Sequence, residues 1–345
     1  MSNSWFTTLL TSNKNFLNRT KSIEQVNSFL VEYDWFFIAP TFLIGLEIEM
    51  IQKIAEEDVD VKKRITKILA QRFYNLDFRT DFIEGYCIRC NHIKPFIESI
   101  ENSMILCFQY DYEGAIKTLI PTIEGIMRKY LKSNGEEGHI SYQTIKKSFQ
   151  LLEEDMVISA RNGYENFDSG DGRKVSFNKE EIEELSKIDT QLYRLWFSFM
   201  EDFIHHSLYK HTQGEPLTNE INRHSILHEF GDKIDYTLDN YLKIYFVIDF
   251  LCWAFIRVER KSIMNEAPTK RFLEKKLAYQ RIIENANRML IYKAVLKKDY
   301  SIQPAPDIYE PVSEHLFPKR YRFWYELGWE LDRKLLNKIA KDEKE

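Results

Sequence analysis

The sequence predicts an all-α protein, and three observations carry that prediction. Apolar residues recur at three- and four-residue spacing over long stretches, the signature of amphipathic helices. Gly and Pro number only 12 and 9 in 345 residues, too few for the many turns of a sandwich or barrel. Hydrophobic residues make up 44% of the chain, enough to bury a sizeable core in one large domain or in two or three smaller ones.

Charge and cysteine usage narrow the class. A formal net charge of -5 means that any contact with nucleic acid must use a local basic patch rather than the whole surface. The four cysteines, Cys87, Cys90, Cys107 and Cys252, are too few and too uneven for a secreted disulfide framework, so a reducing cytoplasm is the expected location. The N-terminal stretch lacks the basic, apolar and small-residue succession of a signal peptide. The most apolar run, Ile244 to Ile256, is shorter than the roughly 20 residues a membrane span needs and contains Asp249. It reads as a buried helix, with no membrane partner.

Along residues 1–103, a helical N-terminal region, patterns run from Ser22 to Val31 and from about Phe42 to Phe73. Asp34 to Pro40 interrupts them, and the charges from Glu56 to Lys63 mark a solvated face or a break between two helices. Cys87 and Cys90 then form one C-x-x-C with His92 two residues beyond, the spacing of half a structural zinc site. The second pair is missing, so buried or surface thiols are the default expectation.

From Met104 to Lys132 the pattern predicts a core helix, with Ile116, Leu119, Ile120 and Ile123 on one side. Pro121 should kink it or divide it in two, aiming Glu124 and Arg128 toward a neighbour. Ser133 to His139 is a turn, and a helix follows from about Ser141 to Leu152. Asn162 to Asp171, within a loop insertion near 159–178, has the Gly, Asp and Asn content of a loop or small hairpin. Asn178 and Glu181 read as a capping box that opens a long aromatic helix to about Tyr209.

His205, His206 and His211 close that helix. Adjacent helical residues point about 100° apart, so favourable placement of cations at a helix C-terminus explains them better than a metal. After the connector Gln213 to Pro216 comes Thr218 to Gly231, T-N-E-I-N-R-H-S-I-L-H-E-F-G, a short helix between two long ones. Arg223, His224 and His228 concentrate a permanent cation and two imidazoles there, on an apolar background. From Asp235 a further core helix continues to about Arg257.

The string Arg223-His224-Ser225-Ile226-Leu227-His228 resembles the R-x4-6-H signature of the HEPN superfamily, in the N-R-H-x-x-x-H form of bacterial HEPN-like proteins. Asp111 to Arg128 is similar to an early helix of that group, and the resemblance covers about Met104 to Arg257. Glu229 stands where such relatives often carry Gly. The resemblance implies a central HEPN-like domain over 104–260, an up-and-down helical bundle that forms a homodimer and cleaves an RNA substrate without a metal or other cofactor. Such relatives often act in phage defence or as toxins, which implies an antitoxin or regulatory partner.

The residue types suit that chemistry. His titrates where a general acid or base must, and a guanidinium offers fixed, forked donors to the charge growing on a phosphorane. On this reading His228 is the general acid or base, Arg223 the phosphate stabiliser and His224 a positioning group. The nucleophile is the RNA 2′-hydroxyl, so the product carries a 2′,3′-cyclic phosphate. Arg223 and His228 lie about 140° apart on an ideal helix, so Arg223 must reach round or act across a two-fold axis.

Two other readings stay open. His224 and His228 share a helix face and, with Glu229 or Asp232, could form a metal-dependent phosphodiesterase site. Alternatively the cluster is structural, in a non-catalytic HEPN-like dimerisation or regulatory module.

Residues 261–345 form a helical C-terminal region. A basic amphipathic helix runs from about Thr269 to Leu296, either an RNA-facing surface or, with its interspersed Glu, an ordinary solvated face. Ile302 to Pro318 is an extended link. The terminal helix carries Phe323, Trp324, Leu327 and Trp329, a stripe that closes the core or makes an oligomer contact.

Overall fold

The computed structural model describes residues 2–31, 33, 35, 45–57, 59–136, 142–167, 175–209, 223, 226, 236–260 and 269–297. These residues form ten α-helices joined by short π and 3₁₀ turns, with no strand among them. The all-α expectation therefore holds for the described residues. The extended link and aromatic terminal stripe, together with Asp34, Pro40 and His211, lie outside them. The chain divides into two compact units, residues 1–265 and 266–345.

The first unit contains α1 (Ser2–Val31), α2 (Gly45–Glu57), α3 (Val61–Phe73), α4 (Leu76–Asp81), α5 (Ile97–Phe108), α6 (Tyr112–Ser133), α7 (Tyr142–Glu165), α8 (Lys179–Phe203) and α9 (Leu238–Val258). Its centre is α9, whose residues from Asn240 to Ile256 are all buried. A helix that is apolar around its whole circumference has to be enclosed on every side. Here α3, α6 and α7 enclose it, while α5 packs on α6, α8 on α7, and α1 on α8. The N-terminal helices thus share one compact unit with the central ones.

Aromatic side chains fill the spaces around α9. Phe73 of α3 meets Tyr241 and Tyr245 edge-on, and Phe250 lies among Phe149, Phe197 and Trp253. Burying each such ring contributes about 1.5–3 kcal/mol, and edge contacts add to this. No described helix is long and apolar enough to cross a membrane.

Local signals explain several helix starts. The side chain of Asn178 accepts from the Glu181 amide at 2.9 Å, and the Asn178 amide donates to the Glu181 carboxylate at 2.9 Å, so the expected capping box opens α8. α9 starts at Thr237, whose hydroxyl accepts from the Asn240 amide at 3.3 Å. α8 runs into a π turn, Ile204–Leu208, ahead of Tyr209.

Three expectations need correction. The segment from Met104 to Lys132 is interrupted at Gln109 to Asp111 rather than at Pro121. Tyr110 takes a left-handed φ of 63°, and Asp111 caps α6 by accepting from the Gly114 amide at 2.9 Å. Pro121 sits inside a continuous α6. The α7 helix continues through Asn162 and Gly163 to Glu165, so the non-helical stretch starts later than that dipeptide suggests. Finally, α1 begins at Ser2, far ahead of the pattern read from Ser22.

The second unit contains α10 (Lys270–Lys297), which buries Leu273, Tyr279 and Ile283 and exposes Met289. Thr269 caps it, its hydroxyl accepting from the Phe272 amide at 3.2 Å.

Candidate functional site

Of the three residues singled out for chemistry, Arg223 is described, while His224 and His228, with Glu229 and Asp232, lie outside the described residues. Arg223 and Ile226 both have helical backbone, and Ile226 is buried. Their three-residue separation puts both on one side of a turn, so burial of Ile226 draws Arg223 against the body of the unit.

There Arg223 meets Glu124. The guanidinium donates through Nε to Oε1 and through Nη2 to Oε2, the second at 3.3 Å, in a two-pronged pair. Tyr209 completes the group: its hydroxyl donates to Glu124 Oε1 at 2.9 Å, and its ring centroid lies 5.7 Å from the guanidinium carbon. Three separate parts of the chain therefore converge, namely the middle of α6, Tyr209 just after the π turn that follows α8, and Arg223.

Exposure differs sharply across the pair. The Glu124 side chain is 10% exposed and that of Arg223 26%, so the carboxylate is sunk and the guanidinium remains reachable from solvent. Burial disfavours the charged guanidinium, and Glu124 more than offsets that, holding the Arg223 pKa above its ordinary value. Burial also pushes the Tyr209 phenol up, with the Glu124 charge acting in the same direction. At neutral pH the guanidinium is therefore charged and the phenol neutral. A guanidinium fixed in this way can meet an incoming phosphate without first losing much rotamer freedom.

Glu124 was singled out only through an expected break at Pro121, which α6 does not have, and its partner was not legible. Arg128, one turn later, is exposed. Tyr209 carried no signal in the sequence beyond its place at a helix end.

The C-x-x-C segment lies in the interior of the first unit. Cys87, Cys90, Cys107 and Cys252 are buried thiols, none of them in a disulfide. Cys90 Sγ lies 3.9 Å from Cys252 Sγ. Burial raises the thiol pKa of Cys87, Cys107 and Cys252, which disfavours the thiolate form. Among the described residues no group of three or more His, Cys, Asp or Glu could hold a metal ion. His92 instead pairs through Nδ1 with Glu259 at 2.9 Å. His205 lies in the π turn and is exposed, whereas the side chain of His206 lies outside the described residues.

Comparison with family models, with curated proteins and with solved structures finds no match to this chain.

Proposed function

We propose that the chain is a metal-independent endoribonuclease of HEPN type, cleaving RNA by attack of the 2′-hydroxyl on the adjacent phosphodiester. The observation that supports this reading is the held, solvent-reachable guanidinium of Arg223, paired with Glu124 at the start of the N-R-H-x-x-x-H string. In this role Arg223 neutralises charge on the pentacoordinate phosphorus, and Glu124 with Tyr209 positions it. His228 exchanges protons with the 2′-hydroxyl or the leaving 5′-oxygen, and His224 assists. A homodimer would bring two such strings together, and phage defence or toxicity is the biological setting this reading implies.

The same ion pair favours a second reading. A two-pronged carboxylate partner saturates much of a guanidinium, as in a structural anchor, which suits a non-catalytic dimerisation or regulatory module.

Labelled RNA incubated with the full chain in EDTA separates the readings. Cleavage leaving 2′,3′-cyclic phosphate ends, abolished in Arg223→Ala and His228→Ala, supports the ribonuclease. Cleavage only after divalent metal is added favours the metal-dependent phosphodiesterase, and no cleavage in either condition favours the module.

A further inference from the structure

A second cluster lies where the Cys90–Lys94 connection, the end of α6 and the end of α9 meet. Glu259 caps the connection: its Oε2 accepts from the Asn91 amide at 2.9 Å, and its Oε1 accepts from the His92 amide at 3.3 Å. The same Oε1 lies 2.9 Å from His92 Nδ1. Burial opposes ionisation of Glu259, but its bonds to His92 and to both amides outweigh that and hold its pKa below the ordinary value. Glu259 is therefore an acceptor at neutral pH, and Nδ1 must carry a proton toward it.

The other ring nitrogen, Nε2, lies 3.3 Å from Ser133 Oγ. The ring is fixed from the sides as well, stacked on Phe255 at 4.8 Å and edge-on to Tyr130 at 5.5 Å. Serine, histidine and carboxylate thus stand in one line, with the histidine tautomer set by the carboxylate. This is the arrangement that activates a hydroxyl nucleophile.

In this line the Ser133 proton has two acceptors. The Tyr130 carbonyl lies 2.6 Å from Oγ, and it also accepts from the Asn134 amide at 3.2 Å and from Asn134 Nδ2 at 3.2 Å. When the hydroxyl turns to His92, that carbonyl keeps its two Asn134 donors. Ser133 is exposed, so an ester can approach it. The negative end of α6 opposes an oxyanion at this position. Lys129, one turn earlier on the same face, offsets this; its ammonium is moored to the Asn91 carbonyl at 2.6 Å, beside His92.

We propose that Ser133, His92 and Glu259 form an acyl-transfer site that takes acyl esters, with Lys129 facing the oxyanion. Ser133 Oγ attacks the ester carbonyl carbon while His92 Nε2 takes the hydroxyl proton. The tetrahedral intermediate collapses, the C–O bond to the alcohol breaks, and His92 returns the proton to the departing alkoxide. A water molecule then repeats the sequence on the acyl-serine, releasing the carboxylic acid and restoring Ser133. Glu259 is a positioning residue acting through His92.

The test is labelling of the full chain with a fluorophosphonate, followed by peptide mass mapping, together with p-nitrophenyl acetate turnover. The expected result is modification at Ser133 and a burst of about one nitrophenol per chain. Both should vanish in Ser133→Ala, whose exposed side chain leaves the thermal melt unchanged. His92→Gln should slow acylation about a hundredfold or more, and Lys129→Met by a comparable factor. Glu259→Ala should lower the acylation rate at unchanged KM, with partial rescue in Glu259→Asp. Absence of label on Ser133 in the folded protein, or equal labelling rates in wild type and His92→Gln, overturns the proposal.

Discussion

Glu124 and Arg223, 99 positions apart in sequence, join the middle of a core helix to the motif segment through two parallel hydrogen bonds. The carboxylate is the more deeply buried partner, so it loses most when the pair is broken. Removing a charged hydrogen-bond partner costs about 1.5–3 kcal/mol. Glu124→Ala should lower unfolding stability by about that much in urea titration. On the ribonuclease reading it should also reduce RNA cleavage more than Glu124→Gln, which keeps one acceptor for the guanidinium.

Tyr209→Phe removes only the hydroxyl that donates to Glu124. The expected loss is about 1 kcal/mol, measured as a lower urea midpoint at unchanged slope.

Asp249 sits on the buried centre of α9, 1% exposed, with neither carboxylate oxygen hydrogen-bonded. Burial raises its pKa to about 7 from 3.8, with the charges of Arg79 and Arg72 opposing the rise. Between those two values the unfolded chain has lost this proton and the folded chain keeps it, so stability falls as pH rises through the window. At about 1.4 kcal/mol per pH unit, the fall from pH 5 to 7 amounts to roughly 2–3 kcal/mol. Asp249→Asn should flatten that slope in urea titrations across the same range; an equal slope in the variant would remove Asp249 as its source.

Phe250 is fully buried against Phe149, Phe197 and Trp253. Phe250→Ala should cost about 3–5 kcal/mol through lost burial and a residual cavity, read as a large drop in thermal midpoint.

Asn178→Ala removes the side-chain half of the box that opens α8, the acceptor for the Glu181 amide, and keeps the backbone amide that donates to the Glu181 carboxylate. Loss of about 1 kcal/mol is expected, with no change in any activity, since the cap lies on a separate segment from Glu124 and Arg223.

The sequence by itself determined the all-α class, the capping box at Asn178 and Glu181, and the enclosed character of α9. Each of these is encoded within a few residues, in a period or a cap that acts locally. It also singled out Arg223. Only the tertiary structure decided that Glu124 and Arg223 are partners, that Tyr209 joins them, and that His92 pairs with Glu259, 167 positions away. The break at Tyr110 also escaped the pattern, because apolar spacing continues across a turn that a single left-handed residue and the Asp111 cap create. Such pairings depend on how α6, α8 and α9 pack, and no periodicity within one helix specifies which face meets which.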